Sequence, residues 1–343
     1  MEPGVVGSSP TGGTILSPAE NSDHTSLKSA HARYAAYTAA RLGYDFQSLD
    51  GADGYLFEVG DGVRVATFAA GAGSPYALND VRAASIARDK AFCADVLRRA
   101  HVPALAGEKF FVTPRWRAMR NPGREAEDAV AYVRAAPLPV FCKPLAASNG
   151  LYAEVIESAQ AFEDYVRRVS REHFAILVQP YVRAPEYRVF VLNGRPLFSY
   201  RKVPPSVVGD GVQALAALID ALPRDDAAPA PSRKARGADG RRFANDAVLA
   251  VGERAWLEGP ANRSAGGGAE DLRDGAPEDL ARVALAAADA LALRLAGVDV
   301  FDEGGCISVI EVNSNPMIAT LEDHGRWDLI QTIWSANIDA ALR

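Results

Sequence analysis

CISVIEVNSNP, residues 306–316, reads as a buried strand, because most of its opening residues are apolar or β-branched. Glu311 and Asn313 nevertheless stand two positions apart in it. Side chains alternate along a strand, so both face the same way. Just upstream, VDVF at 298–301 and a turn at Glu303-Gly304-Gly305 complete a hairpin. Asp299 and Glu311 are symmetric about Gly305, so antiparallel pairing puts the two carboxylates nearly opposite each other. Left alone, buried carboxylates in that position repel, and burial costs several kcal/mol. A divalent cation removes the conflict. Oxygen ligands from Asp, Glu and Asn suit Mg²⁺, which completes its shell with water and phosphate oxygens. The alternative is an exposed hairpin edge with ordinary polar residues.

Around this stretch lies a chain of 343 residues, 48% hydrophobic and 23% charged, long enough for a large core in two or three subdomains. A net charge of -6 and a pI near 5.5 argue against a general nucleic-acid or anionic-membrane binder. No apolar run approaches the roughly 20 residues that span a bilayer. Residues 1–28 are rich in Gly, Pro, Ser and Thr and lack a basic start followed by an apolar core. They are expected to be a disordered tail without a secretory signal. Cys93, Cys142 and Cys306 form no metal-binding pattern and leave an odd count, which suits a reducing cytoplasm.

Periodicity predicts helices over HARYAAYTAARLGY from His31, over residues 85–101, and over AQAFEDYVRRVSREH and VQALAALIDAL. Two more follow PEDLARVALAAADALALRLAG and the closing GRWDLIQTIWSANIDAALR. Strands are expected in a hairpin around Gly60-Asp61-Gly62, in PLPVFCKPLA and in FAILVQPYV. YRVFVLNGRPLFSYRKVP is a further hairpin, turned at Asn193-Gly194. Residues 222–240, Ala/Pro-rich and charged, are expected to be mobile. His101 fits a packed position at a helix end.

Two upstream segments bear on the carboxylates. Lys143 lies in VFCKPLA, an apolar strand where an ammonium either finds an anionic partner or reaches the surface. The following loop, AASNG, is small enough for backbone N–H groups to close over phosphate oxygens. In QPYVRAPEYRVF, Gln179 to Val182 end a strand, and Glu186 and Arg188 follow. Such a connector offers backbone groups to a base and a carboxylate to ribose hydroxyls; a plain inter-strand loop is the other reading.

Together these segments resemble the ATP-grasp superfamily of carboxylate–amine ligases. The likeness is ordered, from about residue 85 to 325, through IARDKAFCADVLRRAHVPAL, VFCKP, QPYVRAPEYRVFV and GVDVFDEGGCISVIEVNSNP. The last segment is the most specific, since acidic residue, hairpin and E-x-N stand at the family's spacing. RKVPPSVVGDGVQALAALID and ANRSAGGGAEDL are most similar to the ATP-grasp part of cyanophycin synthetase and to the glutathione synthetases. The resemblance implies an α/β (α+β) ATP-grasp fold, with two α+β subdomains clasping ATP after a small N-terminal α/β segment. The expected bounds are a tail at 1–28, a pre-grasp segment at 29–88 and a small lid subdomain with its leading helix at 89–182. A large subdomain at 183–343 would carry the metal site and the C-terminal helix.

The resemblance also implies ATP, with Mg²⁺ or Mn²⁺. Position by position, Lys90 and Lys143 would contact the nucleotide phosphates, with Ser148 and Gly150 in the phosphate loop. Gln179 and Val182 fall where adenine is read, and Glu186 where the ribose is held. Asp299, Glu311 and Asn313 align with the metal ligands, and Arg188 and Lys202 lie near the γ-phosphate and the acyl phosphate. Arg263 and Ser264 are candidates for acyl-phosphate or substrate contact. The implied reaction joins a carboxylate, an amino acid or small peptide, to an amine through an acyl phosphate, giving ADP and phosphate. A kinase on the same fold, or a non-catalytic ATP-binding regulatory protein, are the alternatives. Partners are small molecules, with no nucleic acid or membrane, and a homodimer is compatible. Segments 29–84 and 205–270 are expected to line the substrate pocket.

Three departures stand out. The phosphate loop has one glycine where relatives often have several. Cyanophycin synthetase carries a second, Mur-ligase-like module for which this sequence shows no counterpart, so this chain is not expected to make that polymer by itself. D-alanine–D-alanine ligases place an arginine where this chain has Gly297, so another basic residue must take that role.

Overall fold

Among the described residues of the computed structural model of this chain, the named strands pair antiparallel, which makes the fold α+β. The structure describes residues 24–71, 73–147, 150–222, 231–259, 261, 263 and 266–343. The chain begins with α1 (Ala30–Leu42) and a meander of β1 (Asp45–Ser48), β2 (Leu56–Gly60) and β3 (Val65–Ala69). Next come α2 (Val81–Arg88), α3 (Lys90–Arg99), β4 (Glu108–Phe111), α4 (Ala126–Ala135) and β5 (Val140–Pro144). β6 (Glu154–Ile156), α5 (Ala159–Val169), β7 (Ala175–Pro180), β8 (Glu186–Leu192) and β9 (Arg195–Val203) follow. Then come β10 (Ser206–Val208), α6 (Leu215–Asp220), β11 (Ala235–Arg236), β12 (Arg242–Phe243) and β13 (Arg254–Leu257). β14 (Gly268–Asp274), α7 (Glu278–Ala290), β15 (Leu295–Asp302), β16 (Ile307–Asn313), α8 (Ala319–Asp323) and α9 (Trp327–Ala341) complete the chain.

The chain divides into two units, one joining the described residues up to Asp80 with Asn315–Arg343, the other spanning Val81–Ser314. In the first, α9 buries Leu329, Ile330, Ile333, Trp334 and Ile338. The Trp334 ring lies 6.1 Å from Phe57, 6.0 Å from Phe68 and 5.8 Å from Tyr76, centroid to centroid. Asn337 ties the chain at 75–77 to this helix, accepting from Ala77 N at 2.7 Å and donating to Pro75 O at 3.0 Å. The closing helix, expected within the 183–343 subdomain, therefore packs on the N-terminal segment. The reason is its aromatic and aliphatic face, whose partners are the rings of α1, β2 and β3.

Among its described residues the second unit holds three sheets. Strands ordered β4-β7-β5-β6 pack against α4 and α5, around Phe110, Val133, Cys142, Phe162, Tyr165 and Val178. Strands ordered β14-β9-β8-β15-β16 cover their apolar face with α2, α3 and α7, through Leu97, Val283, Ala287, Val298, Val300 and Val309. A small sheet, β10-β13-β11-β12, encloses Val207, Leu215, Ile219 and Leu257 with α6.

Three expectations change. The helix over 85–101 breaks at Asp89, whose extended backbone (φ -87°, ψ 109°) starts a new helix. The helix expected to run to Gly297 stops at Ala290, and Leu295 and Ala296, both 0% exposed, belong to β15. Burial in a central strand overrides the helix preference of Leu and Ala there. Of the segment expected to be mobile, 223–230 lies outside the described residues, while Ala235 is buried in β11 of the small sheet. His101 does end α3 with φ 57°, but it is exposed. Among the described residues no helix is long and apolar enough to cross a membrane.

Candidate active site

Three rungs cross one face of the five-stranded sheet. Lys202, Glu186 and Phe301 align in the first; Tyr200, Arg188, Asp299 and Glu311 in the second; Phe198, Phe190, Gly297 and Asn313 in the third. Alternation along each strand sends these side chains to the same side. The opposite side carries Val298, Val300, Val309 and Val312 into the core.

The alignment of Asp299 with Glu311 depends on a bulge. Val300 pairs with Val309 and Asp302 with Ile307, whereas Asp299 pairs with Glu311. Ile310 is the extra residue. The hairpin is thus not symmetric about Gly305 near its turn, and the bulge restores the expected alignment further on. The core positions Ile307, Val309 and Val312 record the change, their spacing going from two to three. Without the bulge Glu311 would point into the core.

Cations surround these carboxylates. Arg188 grips Asp299 with both ends of its guanidinium, Nε to Oδ1 and Nη2 to Oδ2, each at 2.7 Å. Lys202 Nζ donates to Asp299 Oδ2 at 3.2 Å and also to Glu186. Asp299 is 1% exposed. Burial would raise its pKa, but Arg188 and Lys202 outweigh that and hold it below the usual carboxylate range. Burial likewise opposes ionisation of Glu311, and the Lys90 and Lys143 ammoniums keep it low. Lys143, 5% exposed, has its pKa lowered chiefly by burial, against the pull of Glu311. The carboxylate repulsion expected from the hairpin is therefore relieved by the protein's own cations.

Lys90 joins three elements. Asp89 Oδ1 accepts from Ala91 N at 2.9 Å and Phe92 N at 3.0 Å, which caps α3 and fixes the start of the helix. From there Lys90 Nζ donates to Ala147 O at 2.9 Å and lies 3.8 Å from Glu311 Oε2. Its backbone N–H donates to Leu145 O at 3.2 Å, so α3 is fastened to the loop after β5. Within that loop Gly150 adopts a left-handed φ of 73°, and Ser148 lies outside the described residues.

A narrow crevice runs between β7 and β16, with Lys90, Leu105, Leu177, Gln179, Val309 and Glu311 in its walls. Gln179 is 2% exposed; its Nε2 donates to Leu105 O at 3.4 Å, and its Oε1 is buried without a partner. Gly107 backs onto it, and a Cβ there would lie 2.7 Å from Gln179 Cγ. Sequence reading missed Gly107, because a lone glycine carries no sign of what packs on it. Val182 is half-buried in the connector between β7 and β8. Arg263 is exposed in the connector from β13 to β14, and Ser264 lies outside the described residues.

A metal can be tested against this donor set. Among the described residues no group of three or more His, Cys, Asp or Glu is arranged for an ion. An ion here would rest on Asp299, Glu311 and the amide oxygen of Asn313, whose Nδ2 donates to Glu311 Oε1 at 3.3 Å. An ionised carboxylate has about four acceptor positions. Arg188 and Lys202 use three on Asp299, which leaves one. Glu311 keeps 26% of its side chain exposed. Two hard carboxylates and an amide fit Mg²⁺.

Residues 238–336 match the RimK-like ATP-grasp domain. Among curated proteins, the glutathione biosynthesis bifunctional protein GshAB of Desulfotalea psychrophila is 25% identical over 229 residues, covering 60% of this chain and 29% of that protein. Cyanophycin synthetase of Geminocystis herdmanii is 28% identical over 190 residues, covering 51% of this chain and 22% of that protein. The chain thus spans less than a third of the length of these relatives. Among solved structures, a bifunctional glutathione synthetase from Pasteurella multocida superposes with a TM-score of 0.50 at 20% identity, covering 89% of this chain and 44% of that one.

Proposed function

We propose that this chain, whose fold is ATP-grasp, is an ATP-dependent ligase that joins a carboxylate to an amine through an acyl phosphate. The observation that carries this reading is the charged face, where Lys90, Lys143, Arg188 and Lys202 meet Glu186, Asp299 and Glu311. Four cations against three carboxylates leave one net positive charge. Such a face attracts a polyphosphate and still calls for a further cation once the polyphosphate is bound. Mg²⁺, held by Asp299, Glu311 and Asn313, would supply that charge and polarise the transferred phosphate.

Lys90 and Lys143 would hold the nucleotide phosphates. The unpartnered Gln179 Oε1 offers an acceptor to the amino group of a base, Val182 lies in the connector that follows, and Glu186, which accepts from Lys202, would hold the ribose. In the first step an oxygen of the substrate carboxylate bonds to the γ-phosphorus as the bond to the bridging oxygen breaks, and ADP leaves. Arg188 and Lys202 neutralise the two anions that must approach each other, which is most of what phosphoryl transfer asks of a protein. The amine nitrogen then adds to the acyl carbon, the bond to phosphate oxygen breaks, and the amine loses its proton. Synthetase relatives support ligation over simple phosphorylation.

Products decide the matter. A screen of amino-acid pairs with MgATP should release ADP and phosphate only when an amine is present, and hydroxylamine should capture the acyl group as a hydroxamate. AMP and pyrophosphate would mean adenylation and end the acyl-phosphate reading. Release independent of any amine would favour a kinase.

A further inference from the structure

The crevice between Leu177 and Gln179 of β7, Cys93 of α3, and Val309 and Glu311 of β16 has a volume of about 10 Å³. That is room for about one water, whereas small-molecule sites usually measure about 300–1,000 Å³. The sheet β4-β7-β5-β6 must therefore draw away from β16 before a nucleotide can enter. Its chain connections lie on one side. Before β4, Leu105 N donates to Val309 O at 2.8 Å and Val309 N to Pro103 O at 2.9 Å, and after β7 the chain passes directly into β8. β6 is the far edge of the sheet, beyond β5.

That far edge is clasped by the hairpin of β11 and β12. Glu157, the residue after β6, accepts from Lys234 Nζ at 3.1 Å and from Arg242, and Lys234 Nζ also donates to Val155 O at 3.4 Å. Lys234 precedes β11 and Arg242 opens β12. Arg242 has a second acid within reach, since Glu258 Oε1 lies 3.7 Å from its guanidinium. Glu258 is 9% exposed; its Oε1 accepts from Arg236, while its Oε2 is buried without a hydrogen-bond partner among the described residues. An arginine released by Glu157 thus finds an acceptor on its own sheet, and the half-exposed Lys234 returns to water. Opening leaves no buried charge stranded. Exposed ion pairs are individually weak, so such a clasp can form and break. Besides the Lys90 bonds to Leu145 O and Ala147 O, it joins this sheet to the rest of the unit.

We propose that Glu157, with Lys234 and Arg242, is a reversible latch that holds β4-β7-β5-β6 closed over the crevice and sets how fast nucleotide enters and leaves. Opening moves Arg242 from Glu157 to Glu258, and closing moves it back. Two acids competing for one guanidinium give two discrete arrangements, as a switch requires. The control of nucleotide exchange rests on the ATP reading above; the latch itself does not.

Two measurements on the full chain test this. Cys93 is buried in the crevice wall, Cys142 is buried in the core of the moving sheet, and Cys306 is exposed as a reference. A thiol reagent added without nucleotide, with labelling followed by peptide mass spectrometry, should reach Cys93 about three- to tenfold faster in Glu157→Gln than in the wild type. Labelling of Cys142 should stay as it is. Release of a fluorescent, non-hydrolysable ATP analogue with Mg²⁺, followed by stopped flow, should speed up by a similar factor. Adding Arg242→Gln to Glu157→Gln should change neither rate further, because both substitutions remove the same contact. Unchanged labelling of Cys93, a rise shared by Cys142, or additive effects of the two substitutions overturns the latch. Unchanged release beside faster labelling overturns its control of nucleotide exchange. Failure of the analogue to bind even the wild type would instead overturn the ATP reading, and Cys93 would still judge the latch.

Discussion

Glu311 faces Asp299 across the hairpin and lies 3.8 Å from Lys90, so its charge is shared between two sides of the site. Glu311→Gln keeps the shape and removes the charge that would anchor a metal. Turnover should fall by about a thousandfold, equivalent to several kcal/mol of lost transition-state stabilisation. The apo melting temperature should drop only a few degrees, because Glu186 and Asp299 still oppose the charge on Lys143. A purely structural carboxylate predicts the reverse, a loss of roughly 3–5 kcal/mol in stability with normal turnover per folded molecule. Asp299 gives a second test, through pH. Its folded pKa is held to about 2, below an ordinary value of 3.8. The stabilisation is therefore complete above pH ~4 and fades as pH falls towards ~2. Asp299→Asn should cost about 3–5 kcal/mol at pH 7, where Arg188 is left buried and unpaired. That difference should narrow at pH 2; a constant difference across the range would contradict the ion-pair account.

At the scale of elements, the break between α2 and α3 puts Lys90 at the first position of a capped helix. Asp89→Ala should cost about 1 kcal/mol of stability and weaken MgATP binding by loosening the lysine beside it. Asp89→Ser should restore most of the stability, since a hydroxyl can accept the same N–H groups. Melting curves with and without MgATP read both effects, and an unchanged curve for the alanine variant would show that the cap holds nothing. The D-K pair was visible in sequence, but the break was not, because the apolar period continues through it. β16 teaches a related lesson. Pairing Asp299 with Glu311 by symmetry about Gly305 reached the observed partners, yet the turn is offset and Ile310 bulges to compensate. A bulge is set by what packs on both faces of the sheet, and so has no local signature.

Across the molecule, the residues that could be read in advance were those expensive to bury. Lys143 stands out because an ammonium in an apolar strand needs an anionic partner, and Asp299 and Glu311 because two facing carboxylates need a cation; the structure sets Glu311 near the first and Arg188, Lys202, Lys90 and Lys143 around the others. The hairpin at Asn193-Gly194 was legible for an equally local reason, the left-handed φ values of 48° and 74° that its turn requires. What stayed hidden depends on contacts far apart in sequence. A cavity wall of Arg201, Arg254, Trp256 and Glu270 forms only when β9, β13 and β14 come together, and the place of α9 follows from Phe57, Phe68 and Tyr76, far upstream in the sequence. Transfer of oxygen tests the central claim most directly. With the carboxylate substrate labelled in both oxygens with ¹⁸O, and the amine and MgATP present, the released phosphate is weighed by mass spectrometry. An acyl phosphate predicts one ¹⁸O in each phosphate formed, because the oxygen that attacks the γ-phosphorus leaves with it. Phosphate free of label, with amide still formed, would contradict the account.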